Sequence, residues 1–204
     1  MIASNIIAHL SQDPKLAQVI QSTDYYEWNA GGSVYTDLIG SIISQQISVR
    51  AAATIQARFL GLFGQGYPEA EQVLVLSEAQ LREVGLSRQK AAYIRHIAEF
   101  FQRENLILYD WSGHTDEDII RQLTQIKGVG RWTVEMILMF TLNRPDVFPI
   151  DDLGIRNAMI RLYELPESGK ALRERLLQIA EPWRPWRTHA CRYLWQWKDL
   201  PLKA

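Results

Sequence analysis

Cysteine occurs once in the 204 residues, at Cys191. That excludes an intrachain disulfide and any multi-cysteine metal or iron–sulfur site, and leaves Cys191 as a small hydrophobe. The four histidines, His9, His96, His114 and His189, form no HxxxH or HExxH pair, so a zinc site has no framework. No apolar run approaches the ~20 residues that would span a bilayer. The opening "MIASNIIAHLSQDPK" lacks a basic start and a small-residue cleavage site, so it is expected to be a helix of a cytoplasmic protein with no membrane partner. Excess charge of one sign is missing too: 22 basic against 23 acidic residues give a net charge of −1. Bulk positive charge is therefore not available for gripping a polyanion, although local grip is. Two clusters, Arg82, Arg88, Lys90 and Arg95, then Arg184, Arg187 and Arg192, are locally basic or simply solvated faces. Low-complexity segments and repeats are absent. Only "DVFPI" and "LILYD" read as strands, and both are too short to build a sheet.

What remains is helical pattern, on a hydrophobic content of 47 % that suffices for one substantial core or two small lobes. "TDLIGSIISQQIS" carries an apolar stripe at Leu38, Ile39, Ile42, Ile43 and Ile47, with Thr36 or Asp37 as its expected cap. A second helix starts at Ser48 and ends near Gly61 to Gly64. Ser77 with Gln80 forms a capping box, and Gly85 stops the short helix that follows. "SRQKAAYIRHIAEFFQR" places Ala91, Ile94, Ile97, Ala98 and Phe101 on one face. "TDEDIIRQLTQI" opens with acids suited to a helix N-terminus. "RWTVEMILMFTL" is apolar nearly all round and is expected to be buried. "DDLGIRNAMIRLYEL", "SGKALRERLLQIA" and "WRTHACRYLWQW" complete the set, the last approached through Pro182 and Pro185. The pattern predicts an all-α fold of about nine or ten helices in two lobes. Those lobes are expected at 36–142, with a hairpin at 126–130, and at 1–35 plus 143–204. The stretch "DYYEWNAGGS" (24–33) either packs on the body or lies near a ligand.

Chemistry concentrates in three places. "IKGVGRW" joins two helices by a tight hairpin in which Gly128 and Gly130 leave the backbone bare. Its N–H groups, with the start of the next helix, suit an anion such as a phosphate, and its carbonyls suit a monovalent cation. Plain glycine C-caps are the other reading. "FPIDDLGIR" offers two adjacent acids before a helix. One helix uses one N-cap, so a second carboxylate is left over. A carboxylate there is placed to counter a developing positive charge, as on a sugar losing its base. Five tryptophans, Trp132, Trp183, Trp186, Trp195 and Trp197, fall near these motifs. They either pack or line a stacking pocket for an extruded, cationic base.

With these motifs together, the chain resembles the helix-hairpin-helix (HhH-GPD) DNA glycosylases, above all the 3-methyladenine DNA glycosylase II family of alkylation repair. The matching stretches are "IISQQIS" (42–48), "VGLSRQKAAYI" (84–94), "IKGVGRWTVEMIL" (126–138), "DVFPIDDLGIR" (146–156) and "PWRPWRTHACRYLW" (182–195). The resemblance implies Asp152 as the catalytic carboxylate and Asp151 as a cap or support. It implies that the amides of Gly128 and Gly130, with Arg131, bind DNA phosphate. Gln46, with Gln45 beside it, fills the gap left by a flipped base, and Trp132 and Trp195 wall the base pocket. The carbonyls of Thr124, Ile126 and Val129 match a structural sodium or potassium site, with no other cofactor required.

Departures from the family pattern narrow the expectation. Strand-cutting relatives place a lysine where Trp132 stands, so base removal without lyase chemistry is expected. Relatives with an iron–sulfur loop need four cysteines. The chain starts too near its first core helix for an N-terminal β-domain, so the short all-helical form is expected. The resemblance thus implies a monomer acting on double-stranded DNA that carries alkylated purines, 3-methyladenine chiefly and 7-methylguanine in addition. Two other readings stay open: a non-catalytic helix-hairpin-helix module, and the same fold acting on a deaminated base.

Overall fold

The computed structural model describes residues 2–25 and 32–198. Most of the "DYYEWNAGGS" stretch, residues 26–31, therefore lies outside the described residues. Twelve α-helices and one 3-10 turn make up the described chain, with no strand among the described residues. The count exceeds the nine or ten expected because the N-terminal stretch divides before Pro14 into two helices, Ser4–Leu10 and Pro14–Ser22, and because the short helix at Ala70–Val75 carries too little pattern to be recognised by periodicity.

Two compact units form, one of residues 30–137 and one of residues 1–29 with 138–204, where the sequence reading put the boundaries at 36 and 142. The unit of residues 30–137 holds α3 (Val34–Ser44), α4 (Val49–Leu60), α5 (Ala70–Val75), α6 (Glu78–Glu83), α7 (Arg88–Arg103), α8 (Asp116–Leu123) and the first part of α9 (Arg131–Phe140). Helix α7 is its axis and packs on α3, α5 and α6. The expected stripe of Ala91, Ile94, Ile97, Ala98 and Phe101 is buried as read. Helix α3 starts earlier than expected. Ser33, not Thr36 or Asp37, is the cap: its hydroxyl accepts the Thr36 N–H, and the Thr36 hydroxyl accepts the Ser33 N–H in return. The caps at Ser48 and Ser77 stand where the sequence put them.

The other unit holds α1 (Ser4–Leu10), α2 (Pro14–Ser22), the end of α9, α10 (Leu153–Tyr163), α11 (Gly169–Ala180), the 3-10 turn Glu181–Trp183 and α12 (Arg187–Lys198). Helix α12 packs on α10 and α2. One residue ties three elements together. Asp13 caps α2 through Oδ1, which accepts the Lys15 and Leu16 N–H groups. Its Oδ2 accepts the Tyr163 hydroxyl at 2.6 Å and the Trp183 indole N–H at 3.0 Å. Burial, with the Asp13 carboxylate beside it, pushes the Tyr163 phenol well above its ordinary range, so it stays a donor.

Candidate active site and nucleic-acid interface

The carboxylate of Asp152 is positioned by a loop that is itself knitted down. Residues 144–150 form no regular element, yet Asp146 accepts from both Arg184 and Arg187, and Thr188 gives its hydroxyl to the Arg144 carbonyl while accepting the Val147 N–H. The start of α12 thus fixes the loop that leads into α10. The Asp152 N–H donates to the Pro149 carbonyl at 2.9 Å, and the side chain turns back over the first turn of α10. There its Oδ1 accepts the Ile155 N–H at 2.8 Å and the Trp195 indole N–H at 2.9 Å. Asp152 is only 8 % exposed, whereas its neighbour Leu153 is 68 % exposed.

Asp152 is therefore the N-cap of α10. Of the two carboxylates offered as caps, Asp152 takes the helix start, and Asp151, expected as a cap or a support, is not the cap. Asp151 is exposed and pairs with Arg173 of α11, so it supports the loop from outside, while Asp152 both caps and faces the indole. The Trp195 ring lies 5.5 Å from the Phe140 ring, and Arg192 covers the other ring, Phe140, at 5.4 Å while donating to the Met139 carbonyl. On the same helix as Trp195, His189 Nδ1 meets the Tyr25 hydroxyl at 2.6 Å. Burial, then the nearby Arg192 charge, pushes His189 down to about 4, so it is a neutral structural partner near pH 7. At Gly154 an added Cβ would sit 3.1 Å from Asp152 Oδ1 and 3.2 Å from the Lys198 stem, so a side chain there would press on the carboxylate by a few tenths of an ångström.

Of the five tryptophans singled out, three have structural duties in this unit. Trp183 is buried and bonded to Asp13, Trp186 packs edge-on against His189, and Trp197 lies 4.0 Å beneath the Arg161 guanidinium. Trp195 meets Asp152. Trp132, in the first turn of α9 and in the other unit, is 41 % exposed, so the helix that reads as buried all round has an aromatic open to solvent at its start.

The hairpin lies between α8 and α9. Ile126 and Val129 are buried anchors, and the Val129 N–H closes the turn on the Ile126 carbonyl at 3.0 Å. Gly128 has φ +100°, and a Cβ there would lie 2.3 Å from the Tyr93 ring. Gly130 differs: a Cβ would meet nothing within 4 Å, and its carbonyl already accepts the Val134 N–H of α9. The amides that follow belong to a helix N-terminus, whose first N–H groups have no partner within the helix. Arg131 is tied to carboxylates, donating to both oxygens of Glu117 and, at 3.0 Å, to the buried Glu135. These bonds raise its already high pKa and hold the guanidinium against α8.

Most members of the expected basic clusters are engaged by partners within the chain. Arg88 pairs with Glu78, Arg95 donates to the Leu76 carbonyl, and Lys90 reaches the carbonyls of Ile43 and Gln45. Arg184 and Arg187 serve Asp146. Gln46, exposed at the turn after α3, has φ +57°, a left-handed conformation unusual for a residue with a long side chain. Sequence reasoning missed Asp13, Asp146, Thr188 and Glu135. The partners of Asp146 and Thr188 lie far along the chain, whereas Asp13 before Pro14 was a readable N-cap and the i,i+4 spacing of Glu135 from Arg131 a readable pair.

Residues 39–185 match the model of the HhH-GPD superfamily base excision DNA repair proteins. DNA-3-methyladenine glycosylase 1 of Schizosaccharomyces pombe is 38 % identical over 168 residues, which cover 81 % of this chain and 73 % of that protein. The Bacillus subtilis protein YfjP is 34 % identical over 170 residues, 80 % of this chain, and the match spans 58 % of its length. Among solved structures, a DNA-3-methyladenine glycosidase from Bacillus halodurans superposes with a TM-score of 0.84 at 32 % identity, over 97 % of this chain and 90 % of that one. The S. pombe enzyme Mag1, solved in complex with abasic DNA, gives 0.77 at 33 % identity over 97 % and 98 %.

Proposed function

The chain belongs to the HhH-GPD superfamily of base excision DNA repair proteins, and from that premise we propose that it is a monofunctional DNA glycosylase that releases alkylated purines. The observation that carries the reading is Asp152: a nearly buried carboxylate held by the start of α10 and by the edge of the Trp195 indole. The substrate is double-stranded DNA bearing 3-methyladenine, with 7-methylguanine as a second lesion, and the protein acts on it as a monomer. The damaged nucleotide turns out of the stack, and its cationic base is held on aromatic faces, for which Trp132 and Trp195 are the candidates.

Alkylation leaves the base positively charged. When the bond from C1′ to the base nitrogen breaks, its electron pair departs with the base, which leaves neutral, and the sugar becomes oxocarbenium-like. A fixed anion opposite C1′ lowers the energy of that state, and Asp152 supplies it without having to reorganise. Water then adds to C1′ and gives up a proton, and the products are an abasic site and the free base. The position of Trp132 holds no amine, so no covalent sugar–enzyme link forms and the strand stays intact.

The hairpin contributes backbone rather than charge. Amides around Gly128 and Gly130 face a phosphate, with Arg131 behind them and the Gln46 side chain filling the hole in the duplex. The neutral carbonyls of Thr124, Ile126 and Val129 fit a hard monovalent cation. No cluster of three or more His, Cys, Asp or Glu side chains is placed for a metal among the described residues. Such an ion, when bound, adds positive potential at the phosphate.

The test is incubation with methylated duplex DNA and chromatographic identification of released bases, beside duplexes carrying uracil or hypoxanthine. Release of 3-methyladenine is expected, with Asp152→Asn lowering it about a hundredfold or more while duplex affinity is retained. Release of the deaminated base alone would reassign the substrate. Binding without any release would make the protein a non-catalytic module.

A further inference from the structure

We propose that Lys90 is a positioning residue that locks the Gln45–Gln46 turn in the conformation that projects Gln46 outward. The proposal rests on the reading of Gln46 as the side chain that enters the duplex.

Helix α3 ends at Ser44, leaving its last carbonyls without helical partners. The Lys90 ammonium bonds two carbonyls there, Ile43 at 2.8 Å and Gln45 at 2.7 Å. Both are normal charge-assisted distances. The second bond matters more. The Gln45 carbonyl belongs to the same planar peptide unit as the Gln46 N–H, so pinning that oxygen sets the direction from which the Gln46 Cα leaves. Gln46 then adopts φ +57°, a region that costs about 1 kcal/mol for a residue with a Cβ. Glycine or asparagine would occupy it more readily, so the long amide side chain is retained at a conformational cost. The residues that follow, Ile47 and Val49, are exposed as well, Val49 at 88 %.

Lys90 is also misplaced for its own helix. It is the third residue of α7, where its N–H is capped by Ser87, and a cation in the first turn opposes the helix dipole. The same charge is well placed at the C-terminal end of α3. Partial burial lowers the ammonium below the usual lysine value, which marks a group taken from solvent for an internal duty. Lys90 therefore spends its charge on the turn and not on a phosphate.

The test uses Lys90→Met, which keeps the stem and removes the donor. In the free protein, amide hydrogen exchange at residues 45–48 is expected to accelerate about tenfold, with α7 and the middle of α3 unchanged. Single-turnover base release from methylated duplex is expected to fall about tenfold in the wild-type background, but less than about twofold in a Gln46→Ala background. Lys90→Arg, which can still reach carbonyl oxygens, restores part of the rate. Unchanged exchange, or an equal loss in both backgrounds, overturns the proposal. Should the wild-type protein release no base, the glycosylase reading falls while the exchange measurement still judges the turn. If Lys90→Met does not fold, Lys90→Gln takes the same two comparisons.

Discussion

An alanine at Gly128 would place its methyl 2.3 Å from the Tyr93 ring on a backbone at φ +100°, so it is opposed by sterics and by conformation. At Gly130 the same methyl would meet nothing within 4 Å. The first glycine is therefore required by the fold, and the second is required by nothing inside the protein. Gly128→Ala is expected to destabilise by about 2–4 kcal/mol, read as a lower Tm and a lower denaturant midpoint. Gly130→Ala should change stability by less than about 1 kcal/mol yet weaken binding to a duplex severalfold, because its methyl stands where a phosphate would approach. Equal losses of stability from the two would sink this division of labour. The sequence alone presents the glycines as a pair with one purpose. What separates them is an aromatic ring on α7, a neighbour that no local pattern announces. Asp152 was legible as the acid of its loop and as one of two candidate caps of α10, but not as the one that caps, because the partners that separate the two carboxylates, Trp195 on Asp152 and Arg173 on Asp151, lie farther along the chain.

Helices were readable where their ends carry polar side chains near in sequence, as at Ser48 and at Ser77 with Gln80, and less so where the choice lay among several candidates, as at Ser33. The loop before α10 was legible as a motif, while its support was not: Asp146 and Thr188 act across roughly forty residues of chain. The same holds for Asp13, which caps α2 with one oxygen and binds Tyr163 and Trp183 with the other. Local capping and long-range attachment meet in one carboxylate, so its removal strips a cap and takes the acceptor from two donors, the buried Trp183 indole and the half-buried Tyr163 hydroxyl. Caps contribute about 1 kcal/mol, and each orphaned donor costs about 1–3 kcal/mol more. Asp13→Ala should accordingly lower stability by about 3–5 kcal/mol in urea unfolding. Asp13→Asn keeps one oxygen for the cap but turns an NH2 toward the Trp183 indole N–H, so it is expected to recover about the 1 kcal/mol of the cap and little more. A loss within about 1 kcal/mol for Asp13→Ala would show that α2 is held by its apolar face alone.

Charge is the property of the whole molecule that bears most on DNA. A net charge of −1 gives no long-range attraction to a polyanion. The arginines that look basic in sequence are mostly committed: Arg184 and Arg187 to Asp146, Arg173 to Asp151, and Arg131 to Glu117 and Glu135. Neutral amides release no counterions, since only cations that replace condensed ions at phosphates do so. If most of the grip comes from amides, so that about three cations or fewer reach phosphates, the slope of log K against log salt for an abasic duplex should be no steeper than about −3. A slope of about −6 or steeper would mean that the internal ion pairs open on binding and that the cations are redeployed. Arg131 distinguishes the two cases. If it leaves Glu117 to reach a phosphate, Arg131→Ala makes the slope shallower by about one. If it stays between its carboxylates, the same substitution leaves the slope unchanged and instead strands the buried Glu135 without that partner, lowering Tm. The geometry, with three donor nitrogens of Arg131 already placed on carboxylate oxygens, favours the second outcome.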